Sequence, residues 1–323
     1  MQLFPMITSH VSLALLLLPA CGQAQNFPAK PIRIIATATA GGGVDTSSRI
    51  VAQSMQETLG QPGVVENRPG GGGAAGSDFV AKSPPDGHTL LTISISHAVL
   101  PSSHRNLPYS PERDLVPIAV MVNSPNLLVS HPSLPAKTVQ ELIAIARKRP
   151  GDINYASSGS ASPSHLATEN LKLLARIDLT HVPYKGTAPG LTDVVAGRVS
   201  LMFTSIISAR HLVESGKLRA LATAGGKRAA GAPEIPTIAE AGVPGYAVDV
   251  WYAMLAPSAT PRPVMERLNQ AVASTLHAPE VMKKLATLGL EPVAENLAAT
   301  DAYIKSEIKK WARVVQAAKI VAD

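Results

Sequence analysis

The 323-residue sequence contains one cysteine, Cys21, only 4% aromatic residues, and no hydrophobic run near the length that spans a bilayer. A single cysteine excludes a disulfide within one chain, and its place beside an apolar leader keeps it out of any catalytic role. The scarcity of aromatics leaves the core to Ala, Val, Leu and Ile. It also removes the aromatic-interleaved basic surface that nucleic-acid binding needs, and Lys and Arg are scattered, so no nucleic-acid partner is expected. Catalytic and cofactor motifs are missing as well. There is no GxxxxGK(S/T) loop, no HExxH, no GxSxG elbow and no Cys/His spacing for zinc, so neither a metal nor a cofactor is expected. Gly71-x-Gly73-x-x-Gly76 matches a dinucleotide fingerprint in letters alone. The strand before it is short, Pro69 interrupts the approach, and no acidic residue lies about twenty positions on to hold a ribose.

What the sequence does have begins with a leader. Val11 to Leu18 is apolar, and Pro19 to Ala24 is mostly small and uncharged. An apolar run of this length ending in small residues reads as an export signal over residues 1–24, far too short to span a bilayer, although the usual positive residues before it are missing. Cleavage after Ala24 leaves Gln25 first. The alternative, Leu18-Pro19-Ala20-Cys21, resembles a lipobox, which acylates Cys21 and tethers the protein without spanning the membrane. Either route leads to the periplasm. Residues 1–24 carry no charge, so the net +6 belongs to the exported part, where it favours approach of an anionic metabolite.

The length suggests about two domains. The 24 Gly and 27 Pro exceed what a helical bundle uses, which points to many turns between alternating strands and helices. Residues 31–36 have a strand's β-branched content, a Gly-rich turn follows over 37–43, and Ile50, Val51, Met55 and Leu59 mark one apolar helix face. A short strand at 64–66, a helix at 74–82 and a strand at 88–95 complete βαβαβ, the unit of a doubly wound sheet. A second series starts near Asn126, with a capping box at Thr138 and Glu141. From Pro261 the spacing turns helical and ends in an amphipathic stretch through Ile304, Ile308, Trp311 and Val315. The expected fold class is α/β, with two doubly wound lobes and helical C-terminal packing.

Two loops join a strand to a helix and are rich in small residues: Ala38 to Asp45 and Ser157 to Pro163. A helix start offers free N–H groups and partial positive charge, which suits carboxylate or phosphate. Glycine lets a ligand reach the backbone. Ser162 reads as an N-cap with Pro163 at the first helical position. One such loop from each lobe would clamp an anion between them. Asp45 either caps its helix or accepts a hydrogen bond from a ligand. Three functions fit these loops: a receptor for an anionic solute, a serine hydrolase using Ser160 or Ser162 with His165, and a nucleotide-binding protein using Gly41 to Asp45.

A set of strings runs in order from about Pro28 to Ile320. The first three are Gly41-Gly42-x-x-Asp45 with Arg49, Val65-Glu66-Asn67-Arg68-Pro69-Gly70, and Pro85-Asp86-Gly87-x-Thr89-Leu90-Leu91. Then come His165-Leu166-Ala167 with Glu169, His181-Val182-Pro183-Tyr184-Lys185-Gly186, and Gly216-Lys217-Leu218-Arg219-Ala220-Leu221-Ala222. Pro236-Thr237-Ile238-Ala239-Glu240-Ala241-Gly242 and Trp251 ahead of Ala256-Pro257 close the series. Together they make the chain resemble the Bug family, the extracytoplasmic solute-binding receptors of tripartite tricarboxylate transporters.

The resemblance implies a non-enzymatic two-lobed clamshell of the periplasmic binding protein kind, with a ligand cleft between the lobes. The chain is expected to cross between lobes near Val122 to Asn126 and Val248 to Trp251. Domain 1 would then comprise 25–125 with 249–323, and domain 2 126–248. The implied ligand is a small carboxylate: a dicarboxylate, an amino acid or an aromatic acid. The implied partner is a membrane permease, or none if the protein acts as a sensor. Carried over by position, Gly41, Gly42, Gly43 and Asp45 form the first-lobe loop. Ser158, Gly159, Ser160, Ala161 and Ser162, with His165, form the second. Ser94, Ser96, Thr204 and Ser205 are expected on the walls, and Tyr184 and Lys185 in a turn. The sequence departs from its relatives at Thr37 and Ala38, where proline and an aromatic are usual, and at Ala40, where proline is. Ser160 replaces a common asparagine and Ala161 a usual glycine. Loss of the aromatic is expected to enlarge the pocket, and the Cβ of Ala161 to narrow it.

Overall fold

The computed structural model describes residues 27–104 and 106–320, so the leader and Cys21 lie outside the described residues. β1 (Ile32–Ala36) buries Ile32, Ile34, Ile35 and Ala36 and exposes Arg33, the near-continuous apolar run of a strand covered on both faces. α1 (Gly43–Leu59) buries Val44, Ile50, Val51, Met55 and Leu59, and Gly60 ends it in a left-handed cap at φ 81°. β2 (Gly63–Asn67), α2 (Ala74–Ala81) and β3 (Thr89–Ser94) follow, and β1 pairs in parallel with both β2 and β3. A short α3 (Leu100–Ser103) leads to the long β4 (Leu115–Ser124).

The chain leaves this sheet at Ser124 and enters a second one at Asn126. There it forms β5 (Asn126–Ser130), α4 (Val139–Lys148), β6 (Asn154–Ser157), α5 (Pro163–Ala175) and β7 (Thr180–Pro183). α6 (Thr187–Val195), β8 (Leu201–Ser205), α7 (Ile206–Glu214) and β9 (Arg219–Thr223) complete the second lobe, in the sheet order β7-β6-β8-β5-β9. Thr138 caps α4 as its spacing predicts, accepting the Glu141 amide at 3.1 Å. The chain then returns to the first sheet as β10 (Val250–Pro257), followed by α8 (Arg262–His277), α9 (Pro279–Thr287), β11 (Glu291–Pro292) and α10 (Leu297–Ala318). The first sheet has the order β11-β4-β10-β3-β1-β2.

Both sheets are mixed and not wholly parallel. β10 runs antiparallel to β3 and β4, and β5 runs antiparallel to β8 and β9. Each is the first strand laid down after a crossing, so it enters its sheet from the side facing the other lobe. β1, β3, β6 and β8 run toward that side, and the entering strand has to oppose them. Sequence spacing did not mark β4, β10, α9 or β11.

One apolar cluster runs through both lobes, joining Leu91 and Trp251 to Leu128, Tyr155 and Phe203 and to Ile304 and Trp311 of α10. α10 packs on β4 and α3 of the first lobe and on α5 of the second. Its buried Glu307 accepts the indole N–H of Trp251 and that of Trp311, each at 3.0 Å, and so ties the return strand to the last helix. Among the described residues, no helix is long and apolar enough to cross a membrane.

Candidate ligand-binding site

A cavity of about 400 Å³ lies between the two sheets, within the size range of small-ligand pockets. The first lobe supplies Gly41, Gly42, Gly43 and Thr46 from the β1–α1 connection and Ser124 from the end of β4. It also gives Val250 and Tyr252 from the start of β10, and Leu288 and Leu290 from the turn after α9. The second lobe supplies Asn126, Ser158, Pro163, Ser164, Thr187, Phe203, Thr204, Ser205, Ile207 and Ser208. None of these lining residues carries a charge.

The positive character of the site comes from backbone. α1, α5 and α6 begin at its wall, through Gly43, Pro163 and Thr187, and α7 reaches it through its N-cap Ser205 and its second residue Ile207. The starts of α1 and α6 have no side-chain cap, because Gly42 and Gly186 precede them. α5 is partly capped by Ser162, whose oxygen accepts the His165 amide at 3.4 Å, and α7 by Ser205, which accepts the Ser208 amide at 3.4 Å. Free N–H donors are therefore concentrated at α1 and α6. An uncapped helix start stabilises an adjacent anion by about 0.3–1 kcal/mol, and up to about 2 kcal/mol where the site is partly buried. The Thr204 hydroxyl, on a residue of the cavity wall, is buried and has no partner in the protein.

Of the residues expected from the sequence, Gly41, Gly42, Gly43, Ser158, Thr204 and Ser205 line the cavity, while Asp45, Ser94, Ser96, Gly159, Ser160, Ala161, Ser162 and His165 do not. Asp45 neither caps α1 nor faces the cavity. Its carboxylate accepts the Gly41 amide at 2.9 Å, Arg49 Nε at 3.0 Å and Asn67 Nδ2 at 2.9 Å. The Arg49 hydrogen bond dominates and holds this buried carboxyl down at about 2, against the opposing effect of burial. Ser94 caps a short 3-10 turn by accepting the Ser96 amide at 3.4 Å, and its cross-strand partner Tyr252 reaches the cavity in its place.

The second loop curls on itself. Ser157 Oγ accepts the Gly159 amide at 3.2 Å, and Ser162 donates its amide to Gly159 O at 3.2 Å, leaving Ser160 exposed. Ala161 sits at φ 55°, the left-handed region where glycine is unstrained. Its amide donates to His165 Nδ1 at 3.0 Å, so the imidazole props the loop from behind. His165 stacks on His181 at 4.1 Å and His181 on Tyr155 at 4.9 Å. Burial, with smaller contributions from His181 and Lys172, holds His165 neutral with its pKa lowered to about 3. The hydrolase alternative has no geometry to support it. Ser162 Oγ meets the His165 backbone and the Ser164 hydroxyl, and the ring nitrogen nearest the loop is taken by Ala161. Ser157 Oγ does meet His181 Nε2 at 2.6 Å, but Ser157 is fully buried and serves the loop backbone.

Thr37 does not shape the cavity. Its hydroxyl donates to Thr92 O at 3.0 Å and its side chain packs against Gly73 and Gly76. Tyr184 fixes a turn by donating to Asp193 at 2.6 Å. Sequence reasoning missed Thr46, Ser124, Asn126, Ser164, Thr187, Ser208, Tyr252, Leu288 and Leu290. Thr46 and Ser164 lie within a turn of expected residues and were within reach of helical spacing. Tyr252 and Leu290 come from distant sequence and carry no local signal. Among the described residues, no cluster of three or more His, Cys, Asp or Glu side chains is placed to hold a metal.

Two α/β lobes around an uncharged cleft edged by helix starts define a solute-binding protein of the periplasmic type. The chain belongs to the Bug family of tripartite tricarboxylate transporter receptors: the family model described as "Tripartite tricarboxylate transporter family receptor" matches residues 47–320. Protein BugT of Bordetella pertussis is 36% identical over 296 residues, covering 91% of this chain and 91% of BugT. The structure of R. palustris Rpa4515 with adipate matches with a TM-score of 0.79 and 36% identity, over 91% of this chain and 99% of that one. MatC from Rhodopseudomonas palustris, with bound malate, matches with a TM-score of 0.76 and 32% identity, over 90% of this chain and 100% of that one. These relatives are binding receptors, and the chain is a receptor and not an enzyme.

Proposed function

We propose that this protein captures a small carboxylate in the periplasm, closes its lobes around it, and presents it to a membrane permease. The observation that carries this reading is the pair of uncapped starts, α1 from one lobe and α6 from the other, facing one cavity with no charged side chain in its lining. Such a site recognises an anion with oriented N–H groups. The hydroxyls of Ser158, Ser164, Thr204 and Ser205 supply further donors. Adipate and malate in related receptors support a carboxylate over a phosphate.

Gly41 shapes the turn from which Gly42 and Gly43 present the first-lobe backbone. Asp45 and His165 hold their loops from behind, and Ser94, Ser96 and Gly159 to Ser162 shape the turns. The units that move are 25–125 with 249–323 and 126–248, hinged where the chain crosses. Ligand contacts made only when the lobes close drive that motion. The leader, residues 1–24, directs export.

The reading is tested by thermal unfolding against a panel of dicarboxylates, amino acids and aromatic acids. A ligand at about 100 times its dissociation constant adds roughly 2.7 kcal/mol to the unfolding free energy. Phosphate compounds that stabilise the protein while every carboxylate leaves it unchanged would overturn the proposal.

A further inference from the structure

We infer that the cavity selects a monocarboxylate whose far end is bare hydrocarbon, and that Ile207, Leu288 and Leu290 read that end. The inference rests on the carboxylate-receptor reading and deepens it. The first sheet runs β11-β4-β10-β3-β1-β2, so the glycine loop after β1 and the leucine turn before β11 lie four strand intervals apart. At about 4.8 Å per interval they edge opposite ends of one elongated cleft. The lining changes character along this row. Gly41 to Gly43 stand at one end. At the other, Leu290 directly precedes Glu291, which pairs with Asn123, so Leu290 lies beside Ser124, whose opposite neighbour is Val250. Val250 and Leu290 thus bring two apolar side chains to the wall flanking Ser124.

The second lobe meets this end with another apolar group. Ile207 is 48% exposed, unusual for so large an aliphatic side chain, and it lines the cavity. A Cβ built on Gly289 would lie 3.5 Å from the Ile207 Cβ, so the two lobes touch across the cleft at the turn that carries Leu288 and Leu290. Gly289 adopts φ +63°, which favours glycine in that turn.

Part of the donor capacity at this end is engaged within the protein. The Ile206 amide donates to Pro125 O at 3.2 Å, the Ser208 amide to Ser205 Oγ at 3.4 Å, and the Ser205 and Ser208 hydroxyls pair at 2.8 Å. The start of α1 has no such side-chain cap. A second carboxylate beside Leu288 and Leu290 would lose its water between apolar walls, with only uncharged groups such as the Ser124 and Asn126 side chains and the Ile207 amide to replace it. A methylene there leaves water at no polar cost, worth about fourfold in affinity for each one buried.

The test is calorimetric titration of hexanoate and adipate, which differ only at the far end, into wild-type protein and the Ile207→Ser and Leu288→Ser variants. Ile207 and Leu288 are not fully buried, so these variants keep the fold, and their unfolding midpoints verify it. Wild-type protein is expected to bind hexanoate at least about tenfold tighter than adipate. Each variant is expected to weaken hexanoate more than adipate and narrow that ratio. Adipate binding as tightly as hexanoate, silence of hexanoate while another carboxylate binds, or an unchanged ratio in both variants overturns the inference and leaves the receptor reading standing. If no carboxylate binds at all, the receptor reading falls and takes the inference with it.

Discussion

The Gly41 amide donates to the buried carboxylate of Asp45 at 2.9 Å, four residues into the helix that the glycine loop opens. The acid turns the loop's first amide inward, away from any ligand, and leaves the amides at the start of α1 to face the cleft. Asp45→Asn at pH 7 is expected to cost about 2 kcal/mol of stability and to weaken ligand binding through the loop. The sign with pH follows from the depressed carboxyl. Stability from Asp45 is fully present above the unfolded value of about 3.9 and is lost as pH falls toward the folded value of about 2. Urea unfolding of both proteins should therefore show a gap that closes between about pH 4 and pH 2.

Gly42 and Gly43 are adjacent but not equivalent. A Cβ on Gly42 would have Thr39 O as its nearest neighbour at 3.4 Å, whereas one on Gly43 would fall on the Tyr252 hydroxyl and ring. Gly43→Ala is expected to lose about 1–3 kcal/mol from overpacking, and Gly42→Ala almost nothing. Adding Tyr252→Ala to Gly43→Ala should recover part of the loss. A double-mutant cycle of denaturation free energies checks the coupling.

Ala161 pays for its Cβ. At φ 55° the side chain crowds its own backbone, a cost of about 1 kcal/mol that glycine avoids. Ala161→Gly is expected to raise stability by about 0.5–1 kcal/mol, less than the full strain because glycine also gains freedom in the unfolded chain. The denaturant midpoint should rise with an unchanged slope.

His165 makes the protein acid-sensitive in a different window. It stays neutral in the fold because burial lowers its pKa to about 3, while in the unfolded chain it titrates near 6.5. The unfolded state takes up this proton first as pH falls, so stability declines by up to about 1.4 kcal/mol per pH unit between about 6.5 and 3. His165→Gln should flatten that slope by one proton's share. Buried His97, lowered to about 4 for the same reason, keeps a slope of its own in the variant. Unfolding free energies at half-unit pH steps measure the difference.

Local pattern carried much of the fold and about a third of the cavity lining. Spacing within α1 and the Ser162-Pro163 start of α5 placed two loops at the cleft, because helix starts and glycine turns are written in adjacent residues. The direction of β5 and β10 was not legible, since it depends on where the chain crosses and which side of the sheet it enters. Asp45 was misread for a related reason: its partner Asn67 lies 22 residues away, and only the folded pairing shows the acid facing inward. Tyr252 and Leu290 reach the cavity from opposite ends of the C-terminal return, joined to it by strand register alone.

The central claim is that a carboxylate sits against the backbone of the glycine loop. Calorimetric titration of the best-stabilising carboxylate into wild-type protein and Gly42→Val tests it most directly. Gly42 has φ −77°, and a Cβ there would make only an ordinary contact with Thr39 O at 3.4 Å, so valine is accommodated in the fold while its side chain takes the anion's place. The account predicts one binding site in the wild type, and affinity reduced at least about a hundredfold in the variant with its unfolding midpoint nearly unchanged. Wild-type affinity in Gly42→Val would contradict it.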